Sequence, residues 1–420
     1  MNDIIEFLRN RRVYRVKDSE IVEVPLEYAL EHIDKETIAG SLEWVDGSRA
    51  TPTIRIVFTP DKEHLALDSL AIFRSLLDAY GASDSCYVVR TPRFYELRLN
   101  ERSFSESLSH AQGIELAKTV VSYVLSKLES RLRRIALLSE GKIRFLNVAA
   151  IESRPTLVAP LTRFDGGRAE YMHLKELDSV LSPSDFHHSS RWSEYREGAL
   201  DKLATEALNR CRGVVKLIEA TATARSLPRV VGRFEVMALL QAARYYVLTG
   251  DLDKAKSFGL NRAIFYAWAK YYGPRGRAWV SMHASARKGA GIKKEEPLLD
   301  EVPRSARGYF VMDGKEQLPE DFDRQIRTKF EALIPWEVVW RRALAYVKMF
   351  PSEVLRDPNK FFKYVYEPIR DVFIERIVLS PPQALSPAVE KEVRKEVSKA
   401  GERIKTPVRR LTDFIDKGQQ

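Results

Sequence analysis

The chain has 420 residues, 45% hydrophobic and 30% charged, with a net charge of +10; that suits a soluble globular protein of two or three domains with a substantial core. Its two cysteines, Cys86 and Cys211, lie far apart and make no Cys-x-x-Cys pair, which argues against a disulfide framework and for a reducing cytoplasm. No apolar run approaches the ~18–20 residues that span a bilayer, and the start, Met1 to Asn10, mixes acids into an amphipathic helix rather than showing the basic-then-apolar order of a signal peptide.

In chain order, residues 3–10 read as a helix and 12–24 alternate like strand. Leu26 to Ile33 is a short helical pattern, and Asp46-Gly47 marks a hairpin turn. Thr53 to Thr59 is a β-branched run that must stop at Pro60. Leu65 to Tyr80 carries one apolar helical face closed by Gly81. Cys86 to Arg90 and Phe94 to Leu99 are strands around Thr91-Pro92, Ile114 to Leu138 is a long helix, and Ile143 to Ile151 reads as strand. This order predicts an α+β domain over 1–190. Asp178 to Arg196 is polar and reads as a linker, with His173, His187 and His188 lacking any ligand spacing for a metal.

The 1–190 pattern resembles the catalytic domain of archaeo-eukaryotic primases and primase-polymerases. That family ends a strand in two metal-holding carboxylates one residue apart. A helix follows, then a hairpin whose histidine contacts nucleotide phosphate, and later a third carboxylate. Here Ile56-Val-Phe-Thr-Pro-Asp61 stands at the metal strand, with Thr59 at the first carboxylate position and Asp61 at the second. Glu96 falls at the histidine position and Arg90-Thr91 at the Ser-Gly. Glu152 falls at the third carboxylate, with Val158 and Phe164 replacing an arginine and a histidine further on. The resemblance implies a degenerate catalytic site at Thr59, Asp61, Glu96 and Glu152. Asp61 and Glu152 are the remaining metal candidates, and Mg or Mn enters only if activity survives. Two-metal phosphoryl transfer needs several carboxylates around cations ~3.5–4 Å apart, so the losses predict an inactive domain. It also implies an archaeal setting.

The second half reads as mostly helical, with domains at 191–295 and 296–380 and a charged helix or tail at 381–420. Between Arg225 and Glu295 there are 14 Lys/Arg and 4 Asp/Glu, +10 in one sixth of the chain, so the remainder is close to neutral. Concentrated basic charge is the electrostatic footprint of a nucleic-acid partner. Tyr195 to Glu219, Phe234 to Leu248, Phe322 to Phe350 and Pro358 to Leu379 read as helical, with one strand at Tyr309 to Met312 before Asp313-Gly314. Leu252 to Ser257, a turn at Phe258-Gly259, and Arg262 to Tyr272 read as a helix-turn-helix, with Ala255, Leu260, Phe265 and Trp268 packing it. A plain helical hairpin fits the same spacing. In the first reading Asn261, Arg262 and Tyr266 face base edges. Arg244, Lys254, Lys270, Arg275, Arg277, Arg287, Lys288, Lys293 and Lys294 supply the surrounding basic contacts. The aromatic content of 322–379 reads as core.

Together these features predict a cytoplasmic, non-catalytic nucleic-acid-binding protein of DNA replication or repair, with DNA as partner and an active primase or polymerase alongside. The alternatives are an active primase-polymerase using Asp61, Glu96 and Glu152, and a helical interaction scaffold.

Overall fold

The computed structural model describes residues 2–17, 20–109, 113–152, 155–220, 231–272, 302–312, 314–381 and 385, with backbone alone at 107, 109 and 268–272. The chain is mixed α/β, with antiparallel sheets in its N-terminal part and helices later. It divides into two compact units. The first comprises Met1–Val230, Phe330–Arg342 and Val378–Pro382; the second comprises Val231–Lys329, Ala343–Ile377 and Gln383–Gln420.

The first unit begins with α1 (Asn2–Leu8), β1 (Arg11–Lys17), β2 (Glu20–Glu23), α2 (Leu26–His32) and β3 (Thr37–Trp44). Next come β4 (Thr53–Val57), α3 (Glu63–Tyr80), β5 (Cys86–Arg90), β6 (Phe94–Leu99), the short α4 (Glu106–Ser109) and α5 (Gly113–Leu138). The unit continues through β7 (Arg144–Asn147), α6 (Val148–Ile151), β8 (Thr156–Val158), β9 (Arg163–Phe164), β10 (Gly167–Arg168), β11 (Glu170–His173), α7 (Asp201–Arg210) and β12 (Leu217–Ile218). The order β2-β1-β3-β8 makes one antiparallel sheet and β11-β5-β6-β4-β7-β12 another.

Strand alternation decides what each face of the six-stranded sheet holds. Ile54, Ile56, Tyr95, Leu97, Val88 and Phe145 are fully buried on the face that meets α3 and α5, where Phe73 packs on Phe145. The other face carries Arg55, Glu96, Arg98, Tyr87 and Tyr171. Its apolar members join Phe7, Val13, Ile38 and Leu157 in a second core cluster. Gly81 closes α3 in the left-handed conformation, as its position after the apolar face predicts.

Two sequence expectations change here. The strand drawn from Ile143 to Ile151 ends at Asn147, and Val148–Ile151 turns into one helical turn. The helix drawn from Tyr195 to Glu219 is only Asp201–Arg210, because Gly198 adopts a positive φ before it and an irregular stretch with Gly213 follows it.

The first unit also runs past the boundary drawn at 190: α7 packs on α5, β12 pairs with β7, and residues 330–342 bring two arginines to α3. Asp68 on α3 is buried, and it meets Arg341 Nε at 3.2 Å and Arg342 Nε at 3.5 Å. Arg341 also donates to the carbonyls of Leu177 and Val180. His64, one turn earlier on α3, is buried beside this cluster. Burial first, and then the Arg342 charge, push its pKa down to about 4.

The second unit is organised by α8 (Arg233–Thr249) and α9 (Leu252–Tyr272), joined through Gly250 at φ 75°. So short a connection makes them an antiparallel pair. α9 is continuous through Phe258-Gly259, so the helix-turn-helix drawn from the sequence is one helix of a plain hairpin. Gly259 serves close approach instead of a turn. A Cβ there would lie 2.3 Å from the Ala238 carbonyl oxygen and 2.8 Å from the Ala242 Cβ. Tyr245, Ala255, Phe258, Val302 and Phe310 form the adjoining core. The strand expected near Tyr309 is β13 (Val311–Met312), paired with β14 (Lys315–Glu316) around Gly314. Phe350, Phe361, Tyr364 and Tyr366 are buried, in keeping with a packing role. Pro358 to Leu379 is not one regular helix; it includes π-helical turns at Phe361–Tyr366 and Ile374–Val378. Of the charged helix or tail drawn at 381–420, residues 382–384 and 386–420 lie outside the described residues.

Candidate functional site

Arg55 is the centre of the charged face of the six-stranded sheet. On β4 it lies opposite Glu96 of β6, so both side chains leave the same face. Arg55 Nε donates to Glu96 Oε1 at 2.6 Å, its second guanidinium nitrogen donates to Glu152, and its third donates to the Thr156 carbonyl at 3.3 Å. The other oxygen of Glu96 accepts from Arg98 Nε at 2.8 Å, and Arg98 also donates to the Tyr171 hydroxyl and the Val158 carbonyl. The network therefore holds two guanidinium groups and two carboxylates. Arg98 and Glu96 are fully buried.

The two carboxyls titrate in opposite directions. Burial opposes ionisation of Glu96, but the charges of Arg98 and then Arg55 overcome it and hold Glu96 below the usual carboxylate range. Burial pushes Glu152 up, and its share of Arg55 does not offset this. A buried charge of this kind persists only when it is matched and hydrogen-bonded.

Thr59 and Asp61 are placed differently. They lie beyond the end of β4, on the order of 13 Å along the strand direction from Arg55 at ~3.3 Å per residue. Thr59 donates to Asp61 Oδ1 at 2.6 Å, and Lys142 Nζ reaches Asp61 Oδ2 at 3.0 Å. These contacts, the Thr59 hydrogen bond first, pull the exposed Asp61 carboxyl down to about 2. The four positions that the resemblance singled out thus form two pairs: Glu96 with Glu152 through Arg55, and Thr59 with Asp61. Asp61 and Glu152 do not converge on a common cation site. Among the described residues no group of three or more His, Cys, Asp or Glu side chains is arranged to hold a metal.

The helical hairpin corrects the nucleic-acid reading of its central residues. Arg244, Asn261 and Arg262 are fully buried. Arg244 donates to the carbonyls of Leu355 and Arg356 and to Gln241 Oε1, and its guanidinium lies 4.7 Å over the Phe361 ring. Asn261 Nδ2 donates to Gln317 Oε1 at 2.6 Å, while its oxygen accepts from Arg262 Nε at 3.0 Å. Arg262 also lies 4.6 Å over the Phe265 ring. Base edges are out of reach of all three side chains as folded. Tyr266 is half-buried and stacks on Phe362 at 5.2 Å. Lys254 is at the surface in a 2.9 Å ion pair with Asp251. The side chain of Lys270, and Arg275, Arg277, Arg287, Lys288, Lys293 and Lys294, lie outside the described residues. His173, assigned to an exposed loop with His187 and His188, is instead buried on β11, its Nδ1 accepting from the Lys175 backbone.

Sequence reasoning missed Arg55 and Arg98. A signal was present: Arg55 is a single charge between Ile54 and Ile56, and Glu96 and Arg98 are spaced by two around Leu97, so alternation assigns that pair to one face of its strand. No family model, curated protein or solved structure matches the chain.

Proposed function

We propose that this protein binds nucleic acid, DNA in the first instance, without transferring nucleotides itself, and that it works beside an active primase or polymerase in replication or repair. One observation carries the reading. From Lys270 to Lys294 the sequence holds seven basic residues, Lys270, Arg275, Arg277, Arg287, Lys288, Lys293 and Lys294, and no acid. Within the +10 of residues 225–295, other cations have partners inside the fold. Arg233 pairs with Asp371, Lys254 with Asp251 and Lys256 with Asp323, while Arg244 and Arg262 are interior. With Arg225 and Arg229, which lie outside the described residues, the basic run is what remains to meet phosphates. Support for a non-catalytic role comes from the sheet. Glu96 and Glu152 share the Arg55 guanidinium, so a divalent cation would have to displace an internal one.

The test is fluorescence anisotropy with labelled DNA across a salt series. Alanine at the seven basic positions should remove most of the salt-dependent affinity, with about 0.9 lost from the log–log slope for each phosphate contact that disappears. Binding that ignores salt, or that survives those substitutions unchanged, sinks the reading. Metal-dependent nucleotide incorporation by the purified chain would restore the active primase-polymerase alternative. The continuous hairpin of α8 and α9 favours a second reading, a helical interaction scaffold, which predicts no DNA affinity in the same titration.

A further inference from the structure

A second basic surface lies in the first unit, on residues that neither the 270–294 run nor the sheet network uses. Lys202, Glu206 and Arg210 recur every four residues along α7 and so share one face of it. Tyr123 and Lys127 are related in the same way on α5, and Tyr80 ends α3. Both phenols donate to one oxygen of Glu206, Tyr80 at 2.5 Å and Tyr123 at 2.6 Å, with the two hydroxyls 2.9 Å apart. These bonds, from Tyr123 and then Tyr80, hold the Glu206 carboxyl below its usual range.

Cations surround this knot. The Lys127 ammonium lies 5.3 Å from the Tyr123 ring centre, and that of Lys202 lies 5.7 Å from the Tyr80 ring centre. Both lysines are exposed and make no ion pair among the described residues. Arg210 approaches the second Glu206 oxygen only at 3.9 Å, with 64% of its side chain exposed. Three cations thus lie around one carboxylate, of which Oε2 accepts from both phenols while Oε1 faces Arg210. Lys202 and Arg210 stand roughly 12 Å apart along the α7 axis. That span covers more than one phosphate of a strand bearing a charge every ~3.4 Å of rise.

We propose that Lys127, Lys202 and Arg210 form a docking surface for the phosphodiester backbone of a nucleic acid, held in place by the Tyr80–Glu206–Tyr123 knot. The proposal rests on the nucleic-acid reading above and adds a second contact to it. Charge complementarity selects the partner: three exposed cations on α5 and α7 around a single carboxylate leave net positive charge, which suits a polyanion whose charges repeat along a line.

The experiment compares two charge-matched triple variants of the full chain. One is Lys127→Glu/Lys202→Glu/Arg210→Glu. The control is Arg12→Glu/Lys17→Glu/Lys35→Glu, on exposed positions at β1 and after α2. Circular dichroism checks that both fold. Anisotropy with labelled single-stranded and duplex oligonucleotides follows, between ~50 and ~200 mM salt. The cluster variant is expected to flatten the log–log salt slope by about 2–3 relative to the control and to lose about tenfold or more in affinity at the lower salt. Equal slopes in the two variants overturn this surface while leaving the basic run at 270–294 standing. Absence of salt-dependent binding by the unmodified chain overturns both. Loss confined to binding of phosphatidylserine vesicles, with oligonucleotide binding unchanged, assigns the surface to a membrane and overturns the proposal.

Discussion

Both units bury arginine, among different sets of neighbours. In the sheet of the first unit, Arg55 and Arg98 meet Glu96 and Glu152, so charge is matched by charge. In the helical hairpin of the second unit, Arg244 turns to backbone carbonyls and an amide, and Arg262 turns to Asn261, each guanidinium also covering an aromatic ring. A basic residue counted in a sequence is therefore not yet a surface charge. Arg244 and Arg262 contribute to the +10 of residues 225–295, yet they hold the fold together. Exposed cations such as Lys127 and Lys202, in a stretch of ordinary net charge, face solvent.

Removing the shared anion of the first unit has the largest expected effect. Glu96→Ala leaves Arg98, fully buried, without its carboxylate and releases one of the two anions on Arg55. An uncompensated buried charge costs about 3–5 kcal/mol. Urea denaturation should show that loss. A change under about 1 kcal/mol would mean that the network is not electrostatically closed.

How far this was legible in the sequence depends on the element. Alternation and punctuation found β4, β5 and β6, α3 with its Gly81 cap, and α5, because those patterns are local. Thr37–Trp44 was not recognised, since Gly40 and the mixed sequence around it interrupt the strand pattern. Gly259 was misread because one residue type answers two demands, a positive φ or close helix contact, and sequence alone does not tell them apart. The candidate site was half legible. Position in the pattern identified Glu96 and Glu152, but their neutralisation by Arg55 depends on strand register, which pairs residues 41 apart.

A pH titration sharpens the contrast from the first unit's side. His64 is neutral and buried in the fold, with its pKa lowered from 6.5 to about 4 by burial and by Arg342. Its folded pKa is depressed, so below pH 6.5 the unfolded chain takes up a proton that the folded chain refuses. Stability from this group is therefore full above pH 6.5, falls as pH drops, and levels off near pH 4. The total is about 3 kcal/mol at ~1.4 kcal/mol per pKa unit. Denaturation midpoints for the parent and His64→Gln between these limits check it. The variant should lose this part of the acid dependence, whereas parallel curves would assign the sensitivity to other groups.

The smallest expected effect falls on the second unit, where packing rather than charge sets the limit. Gly259→Ala places a methyl 2.3 Å from the Ala238 carbonyl oxygen and 3.0 Å from the Ala242 backbone nitrogen, and backbone does not yield as a flexible side chain does. Intrinsic helix propensity pulls the other way, since Ala is favoured over Gly inside a helix by about 1 kcal/mol. Forced separation of packed helices costs about 1–3 kcal/mol, so the net is destabilisation of up to about 2 kcal/mol. A helix-turn-helix with a left-handed Gly259 would also be destabilised by alanine, so stability alone does not separate the two geometries. Gly259→Asn does. Asn tolerates a left-handed turn and would be mild there, but it is larger than Ala and would be worse between close helices. Thermal unfolding should rank the three chains Gly, then Ala, then Asn. Asn above Ala would restore the turn at Gly259 and, with it, a separate second helix.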